Sequence, residues 1–254
     1  MAATGTTCEN DAVAVLSRRA VLIAGALAVS APVHPANALD GPGQDRDQGD
    51  LTDLERTDRT QLLAVVTKSE PLQPEDYVPP DLTSWRADPY ELRAEVVYWF
   101  EQLFSAADED DIGLRVISGY RSYETQAGTY DYWVRHHGQA SADASSARPG
   151  HSEHQTGLAV DLDSARGGCY LDACFGETSE GRWVAEQAYR FGFVLSYPLG
   201  YSERTGYTYE PWHLRYVGPR VAGQMHDLEV VLLQDYLSPH LYSARLGSLL
   251  GLRD

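Results

Sequence analysis

The sequence is poor in positive charge. Lysine occurs once, as Lys68, and arginine supplies the other basic side chains, 20 in all against 37 acidic ones. A formal net charge of −17 repels a phosphate backbone, which argues against nucleic acid as a partner. The charge needs no explanation beyond solubility. Cysteine occurs three times, as Cys8, Cys169 and Cys174. No second pair exists to complete a four-thiolate structural zinc site. A membrane-spanning run is also missing. The apolar stretch Ala20 to Ala31 has about 12 residues, short of the ~20 that a helix needs to cross a bilayer. There is no internal repeat. What remains is a chain of 254 residues with 43% hydrophobic content, enough to bury a core and suited to one catalytic domain with appendages.

The first 38 residues read as an export signal. Arg18 and Arg19 are followed by the short apolar run and then by Ala36-Asn37-Ala38, the small-x-small pattern of a signal-peptidase site. The order points to the twin-arginine route; retention as an anchor stays open. Cys8 precedes the arginines, so it cannot become a lipid-anchored first residue. Residues 39–61 are polar and read as a disordered linker, 62–237 as the domain, and 238–254 as a C-terminal tail with leucines at helical spacing. In an exported protein Cys169 and Cys174 are expected to close a small disulfide loop, contributing roughly 2 kcal/mol by loop entropy.

Within the domain, Leu92, Val96, Trp99, Phe100, Leu103 and Phe104 recur at helical spacing and predict a helix over 89–107. Further helices are predicted at 123–137, stopped by Gly138, at 183–191 and at 221–236. Residues 138–150 read as a loop. Short strands are predicted at 114–118, 158–162, 193–197 and 212–217. No regular βαβ alternation is present. The expected fold class is therefore α+β, a small antiparallel sheet flanked by helices.

Chemistry concentrates in two stretches. Ser152 to Asp161 reads S-E-H-Q-T-G-L-A-V-D, and Glu210 to His213 reads E-P-W-H. A hydrolytic zinc ion takes three protein ligands and leaves one position open. On a straight strand His154 and Asp161 would lie about 23 Å apart on opposite faces. They can share a metal only if the chain turns between them, and Gly157 supplies a residue able to turn. His151, three residues earlier, is a rival ligand by spacing alone. A kink at Pro211 would let Glu210 and His213 approach a site from different directions, with glutamate as base. His136 and His137, in the last turn of a predicted helix, read as capping groups.

Taken together, Ser118-Gly119-Tyr120-Arg121-Ser122, Gln126, Pro149-Gly150, Ser152 to Asp161, and Tyr209 to His213 closely resemble the VanY-type D-alanyl-D-alanine carboxypeptidases. These are M15 zinc peptidases that share the hedgehog fold, and the resemblance spans roughly Leu62 to Leu237. It implies that His154, Asp161 and His213 hold Zn2+, that Glu210 is the general base, and that Arg121 polarises the scissile carbonyl. It further implies that Gln126 and Ser152 contact substrate, and that the substrate is a peptidoglycan stem peptide; the short apolar run of the signal leads us to expect no stable membrane insertion once it is removed. L,D-carboxypeptidase or endopeptidase action on the same polymer is the alternative within hydrolases. A zinc-bearing binding module without catalysis is the alternative outside them, and the intact Glu210 and Arg121 argue against it.

Overall fold

A computed structural model of the protein describes residues 62–86 and 89–238. The predicted signal, the linker and the tail beyond Ser238 lie outside the described residues. Among those residues no helix is long and apolar enough to cross a membrane.

The chain runs β1 (Leu82–Ser84), β2 (Glu91–Arg93), α1 (Ala94–Glu109), β3 (Leu114–Ser118), α2 (Tyr123–His137) and α3 (Gln139–Ser145). A 3-10 turn at Glu153–Thr156 then leads into β4 (Ala159–Ser164), and another at Ala173–Glu177 into α4 (Ser179–Gln187). Next come β5 (Phe193–Leu195), α5 (Ser202–Thr205), β6 (His213–Tyr216), α6 (Pro219–Asp227) and α7 (Leu233–Tyr236). β1 and β2 form a hairpin, and the main sheet has the order β3-β4-β6-β5 with every pairing antiparallel. The expected α+β class with a small antiparallel sheet is the observed one.

Strand alternation divides the main sheet into two faces. Val160 and Leu162 of β4 and Leu214 and Tyr216 of β6 point into the core. There they meet Val96, Phe100, Leu103 and Phe104, the apolar stripe of α1, together with Phe193 and Val184. The intervening residues, Asp161 and Asp163 on β4 and His213 and Arg215 on β6, take the opposite face, and all four are buried. A polar set buried on one face of a sheet must be satisfied internally.

Three expectations need correction. The helix predicted from residue 89 starts at Ala94, because Glu91–Arg93 pair with β1 instead. Residues 138–150 are not all loop. Ala140, Ala142 and Ala144 favour a helix, and α3 forms there, set off from α2 by Gly138 at φ 81°. The helix predicted over 221–236 is two. The chain breaks after Asp227 and passes through Glu229 at φ 52°, which turns Leu228, Val230 and Tyr236 onto one small cluster with Val217, Val221 and Met225.

Cys169 and Cys174 are joined by a disulfide, their Cα atoms 5.6 Å apart. The turn at Gly157 forms as expected. It adopts φ 67°, and a Cβ there would meet Arg93 Cγ and Leu82 Cδ2, each at 3.0 Å. Replacing Gly157 with alanine combines left-handed strain of roughly 1–2 kcal/mol with crowding against the β1–β2 hairpin. The denaturation midpoint should drop accordingly; an unchanged midpoint would mean that the turn is not under this constraint.

Candidate metal centre

The two stretches singled out in the sequence meet on the polar face of the main sheet. Asp161 and His213 are direct partners in the β4–β6 register, so their Cβ atoms lie side by side. His154 sits in the 3-10 turn before β4. Gly157 reverses the chain after it, and Gly157 N–H donates to the His154 carbonyl at 3.2 Å. His154 Nε2 thereby comes 3.1 Å from Asp161 Oδ2, while His213 Nδ1 lies 3.1 Å from Asp161 Oδ1. One ligand atom from each of the three lies within 4.8 Å of the others, and all three residues are buried. Two imidazoles and a carboxylate converging in this way fit a divalent cation that prefers nitrogen and oxygen donors, zinc above all. His151 is not part of the group. Its Nδ1 pairs with the Thr67 carbonyl at 2.8 Å.

Each histidine has its second ring nitrogen engaged. His154 Nδ1 pairs with the Gly119 carbonyl at 2.8 Å, which makes it the donor and frees Nε2. His213 Nε2 lies 2.9 Å from Glu153 Oε2. Glu153 is buried and also accepts from Ser196 Oγ at 2.6 Å and Arg215 Nη1 at 3.0 Å. Sequence reading passed over Glu153 and Arg215. Strand alternation could have found the arginine, since residue 215 must share a face with residue 213 and a buried arginine needs an acid nearby.

Glu210 comes to the site through a turn. His213 N–H donates to the Glu210 carbonyl at 3.2 Å, and Pro211 takes the second position of the turn, where its fixed φ is suited. Glu210 N–H donates to the Tyr197 carbonyl at 3.0 Å, on the chain just beyond β5. The Tyr197 ring lies 4.8 Å from that of His213.

Arg121 enters from the other side. Its backbone N–H donates to the His154 carbonyl at 3.2 Å, and Nη2 is 3.9 Å from Asp161 Oδ2. The guanidinium donates to Gln126 Oε1 at 2.8 Å and to Ser118 Oγ at 3.0 Å. Ser118 borders a bulge in the β3–β4 pairing, opposite Asp161, and bulges re-aim side chains in this way. Gln126 is fully buried, and its amide nitrogen donates to the Ala147 carbonyl at 2.7 Å. It therefore stands behind Arg121, while the Arg121 side chain keeps 21% of its surface open. Ser152 is buried at the start of the 3-10 turn. His136 and His137 are exposed at the end of α2, as a capping role requires.

A family model described as VanY, D-alanyl-D-alanine carboxypeptidase, matches residues 89–219, which contain every one of these site residues. The chain belongs to the VanY family. It is 39% identical over 178 residues to YodJ of Bacillus subtilis (strain 168), an alignment covering 67% of this chain and 65% of YodJ's own length. Among solved structures it resembles the LdcB LD-carboxypeptidase, at 38% identity and TM-score 0.65, over 71% of this chain and 87% of that one. It also resembles a vancomycin resistance D,D-pentapeptidase VanY in complex with Zn(II), at 32% identity and TM-score 0.60, over 69% of this chain and 98% of that one.

Burial and charge set opposite protonation tendencies across this VanY-family centre. Burial lowers the pKa of His213, but its bonds to Asp161 and Glu153 outweigh that and raise it to about 10. Burial also lowers His154, against the pull of Asp161. Asp161 is driven well below the ordinary carboxylate range, because His154 and His213 together overcome its desolvation. Glu210 goes the other way. Burial raises it, His213 pulls it back, Asp161 and Glu153 push it up again, and it settles at about 7.

With the pKa of His213 raised by Asp161 and Glu153, a cation at this centre would compete with a proton for that ring. Ligand deprotonation makes metal affinity pH-dependent. Affinity should therefore fall as pH is lowered, and loading at pH 7 should release about one proton or more. Calorimetry in buffers of different ionisation enthalpy measures that number. An affinity that is flat from pH 8 to pH 5.5 would remove His213 from the ligand set.

Proposed function

We propose that this chain is a zinc-dependent D-alanyl-D-alanine carboxypeptidase that hydrolyses the terminal peptide bond of peptidoglycan stem peptides. One observation carries the reading. In a VanY-family chain, His154, Asp161 and His213 converge with a buried glutamate of raised pKa on one side and a supported arginine on the other. The Zn(II) in the related VanY structure supports zinc as the ion. Bound there, zinc supplies a Lewis acid and brings the pKa of a coordinated water down to about 7.

The side chains then have distinct work. Glu210 accepts the proton of the attacking water and returns it to the leaving amine. Burial, which raises the pKa of Glu210, suits a group that takes and returns a proton. Arg121 donates to the carbonyl oxygen as negative charge builds on it, a fixed donor in a site largely closed to water. Gln126 and Ser118 keep the guanidinium in place. For Gln126 this positioning task replaces the direct substrate contact first expected of it. Ser152 is assigned to the substrate side on the family resemblance.

L,D-carboxypeptidase action is the second reading, favoured by the likeness to LdcB, which is as close in fold as that to VanY. Either substrate lies in the cell wall. Export fits this, and the twin arginines of residues 18 and 19 and the Cys169–Cys174 disulfide support an extracytoplasmic site reached by the twin-arginine route.

Digestion of defined pentapeptide and tetrapeptide stems, read by mass spectrometry with and without a chelator, tests the activity. Loss of one D-alanine from the pentapeptide is expected, and chelator should abolish it. Cleavage of the tetrapeptide alone would select the L,D reading. Glu210→Gln should keep zinc but lose at least ~100-fold in kcat; near-normal turnover would rule out Glu210 as the base.

A further inference from the structure

Behind His213 lies a second set of polar contacts, built on the buried side chains of Glu153 and Arg215. Glu153 Oε2 faces His213 Nε2 at 2.9 Å and accepts from Ser196 Oγ at 2.6 Å, while Oε1 accepts from Arg215 Nη1 at 3.0 Å. Arg215 has no exposed surface. Its Nη2 donates to the Ala64 carbonyl at 2.8 Å and the Leu62 carbonyl at 3.2 Å, and its Nε to the Tyr216 carbonyl at 3.1 Å. An unbroken chain of contacts therefore runs from the leading segment at Leu62–Ala64, through Arg215 and Glu153, to the ring of His213.

We infer that Glu153, held by Arg215 and Ser196, is a positioning residue that sets the strength of metal binding by fixing the orientation and tautomer of His213. The inference rests on the zinc reading of the centre. An imidazole can give only one nitrogen to a metal, and the other must then carry a proton that needs an acceptor. On His213 the nitrogen that converges with His154 and Asp161 is Nδ1, so Nε2 must be the donor. Glu153 is the acceptor in place, and as an anion it also strengthens the basicity of the ligand nitrogen. A carboxylate at this depth persists only if its charge is compensated. Arg215 provides the compensation, and it is itself locked by backbone carbonyls from two parts of the chain. The leading segment thereby contributes to the centre without touching it. The arrangement fits the sheet: Arg215 follows His213 by two residues on β6, so both side chains take the same face, and Glu153 precedes His154 in the turn above that face.

Glu153 is distinct from the proposed base and ligands, so the two ideas separate experimentally. Zinc affinity is measured by competition with a chromophoric chelator. It is measured for the unaltered chain and for His213→Ala, Glu153→Gln and Ser196→Ala, with circular dichroism to confirm folding. Glu153→Gln should weaken zinc binding about 10–100-fold, the usual range for loss of a partner behind a ligand. At saturating zinc it should recover most of kcat, with KM for a stem peptide unchanged. Ser196→Ala removes one hydroxyl from the same carboxylate oxygen, and it keeps the test available if Glu153→Gln does not fold. It should weaken binding about fivefold, the size of one ordinary hydrogen bond, because the carboxylate keeps Arg215 as its main partner. Retention of zinc by His213→Ala would overturn the metal reading itself. Loss of zinc by His213→Ala, with Glu153→Gln and Ser196→Ala at unaltered affinity, would overturn this inference alone.

Discussion

Asp161 shares its two carboxylate oxygens between His213 and His154, and the site depends on that sharing. In the interior an unpaired carboxylate would be protonated or would unfold its surroundings. Here each oxygen meets a ring nitrogen, and the two rings are held in turn by Glu153 and by the Gly119 carbonyl. The β4–β6 register makes the arrangement possible, because it sets Asp161 opposite His213. A slip of one residue would send Asp161 into the apolar core and bring Val160 or Leu162 to the polar face. The hydrophobic packing of α1 on the core face therefore protects the metal centre as well as the fold. It makes that slip expensive.

The same division explains how a site can be both rigid and reactive. Asp161 and His213, on strands, are held by ladder hydrogen bonds on either side and by packed apolar residues behind. The chemical groups come from less regular places. Glu210 stands on a proline turn, and Arg121 lies between the end of β3 and α2. Each is nevertheless tied to the centre through the backbone, Glu210 through the His213 amide and Arg121 through the His154 carbonyl. Burial then separates the two outer carboxylates. Glu153 meets a guanidinium and an imidazole and is held down at about 2, although burial alone would raise it. Glu210 has burial and two neighbouring acids against it, and it titrates near neutrality. Two glutamates in one interior are thus set to opposite protonation tendencies, which is what the proposed roles of ligand support and proton transfer ask of them.

Much of this was legible in the residues themselves. The clustering of His154, Asp161 and His213, the turn at Gly157 and the α+β class all follow from residue types, spacing and family resemblance, because a metal ligand is drawn from His, Asp, Glu or Cys and a left-handed turn selects glycine. The end of α2 was legible as well, since Gly138 is a local signal for stopping a helix. Other features depend on partners far along the chain. The break after Asp227 serves a cluster that includes Val217, and the late start of α1 reflects pairing with β1. Gln126 turns inward because Arg121 and the Ala147 carbonyl await it there. Glu153 lies between two attractive ligand candidates in the sequence and looks like a surface acid until Arg215 and Ser196, some 62 and 43 residues further on, are brought against it. Local chemistry determined which residues could bind a metal. Only the tertiary structure decided which nitrogen of each histidine faces inward, because that choice belongs to the partner on the other side of the ring.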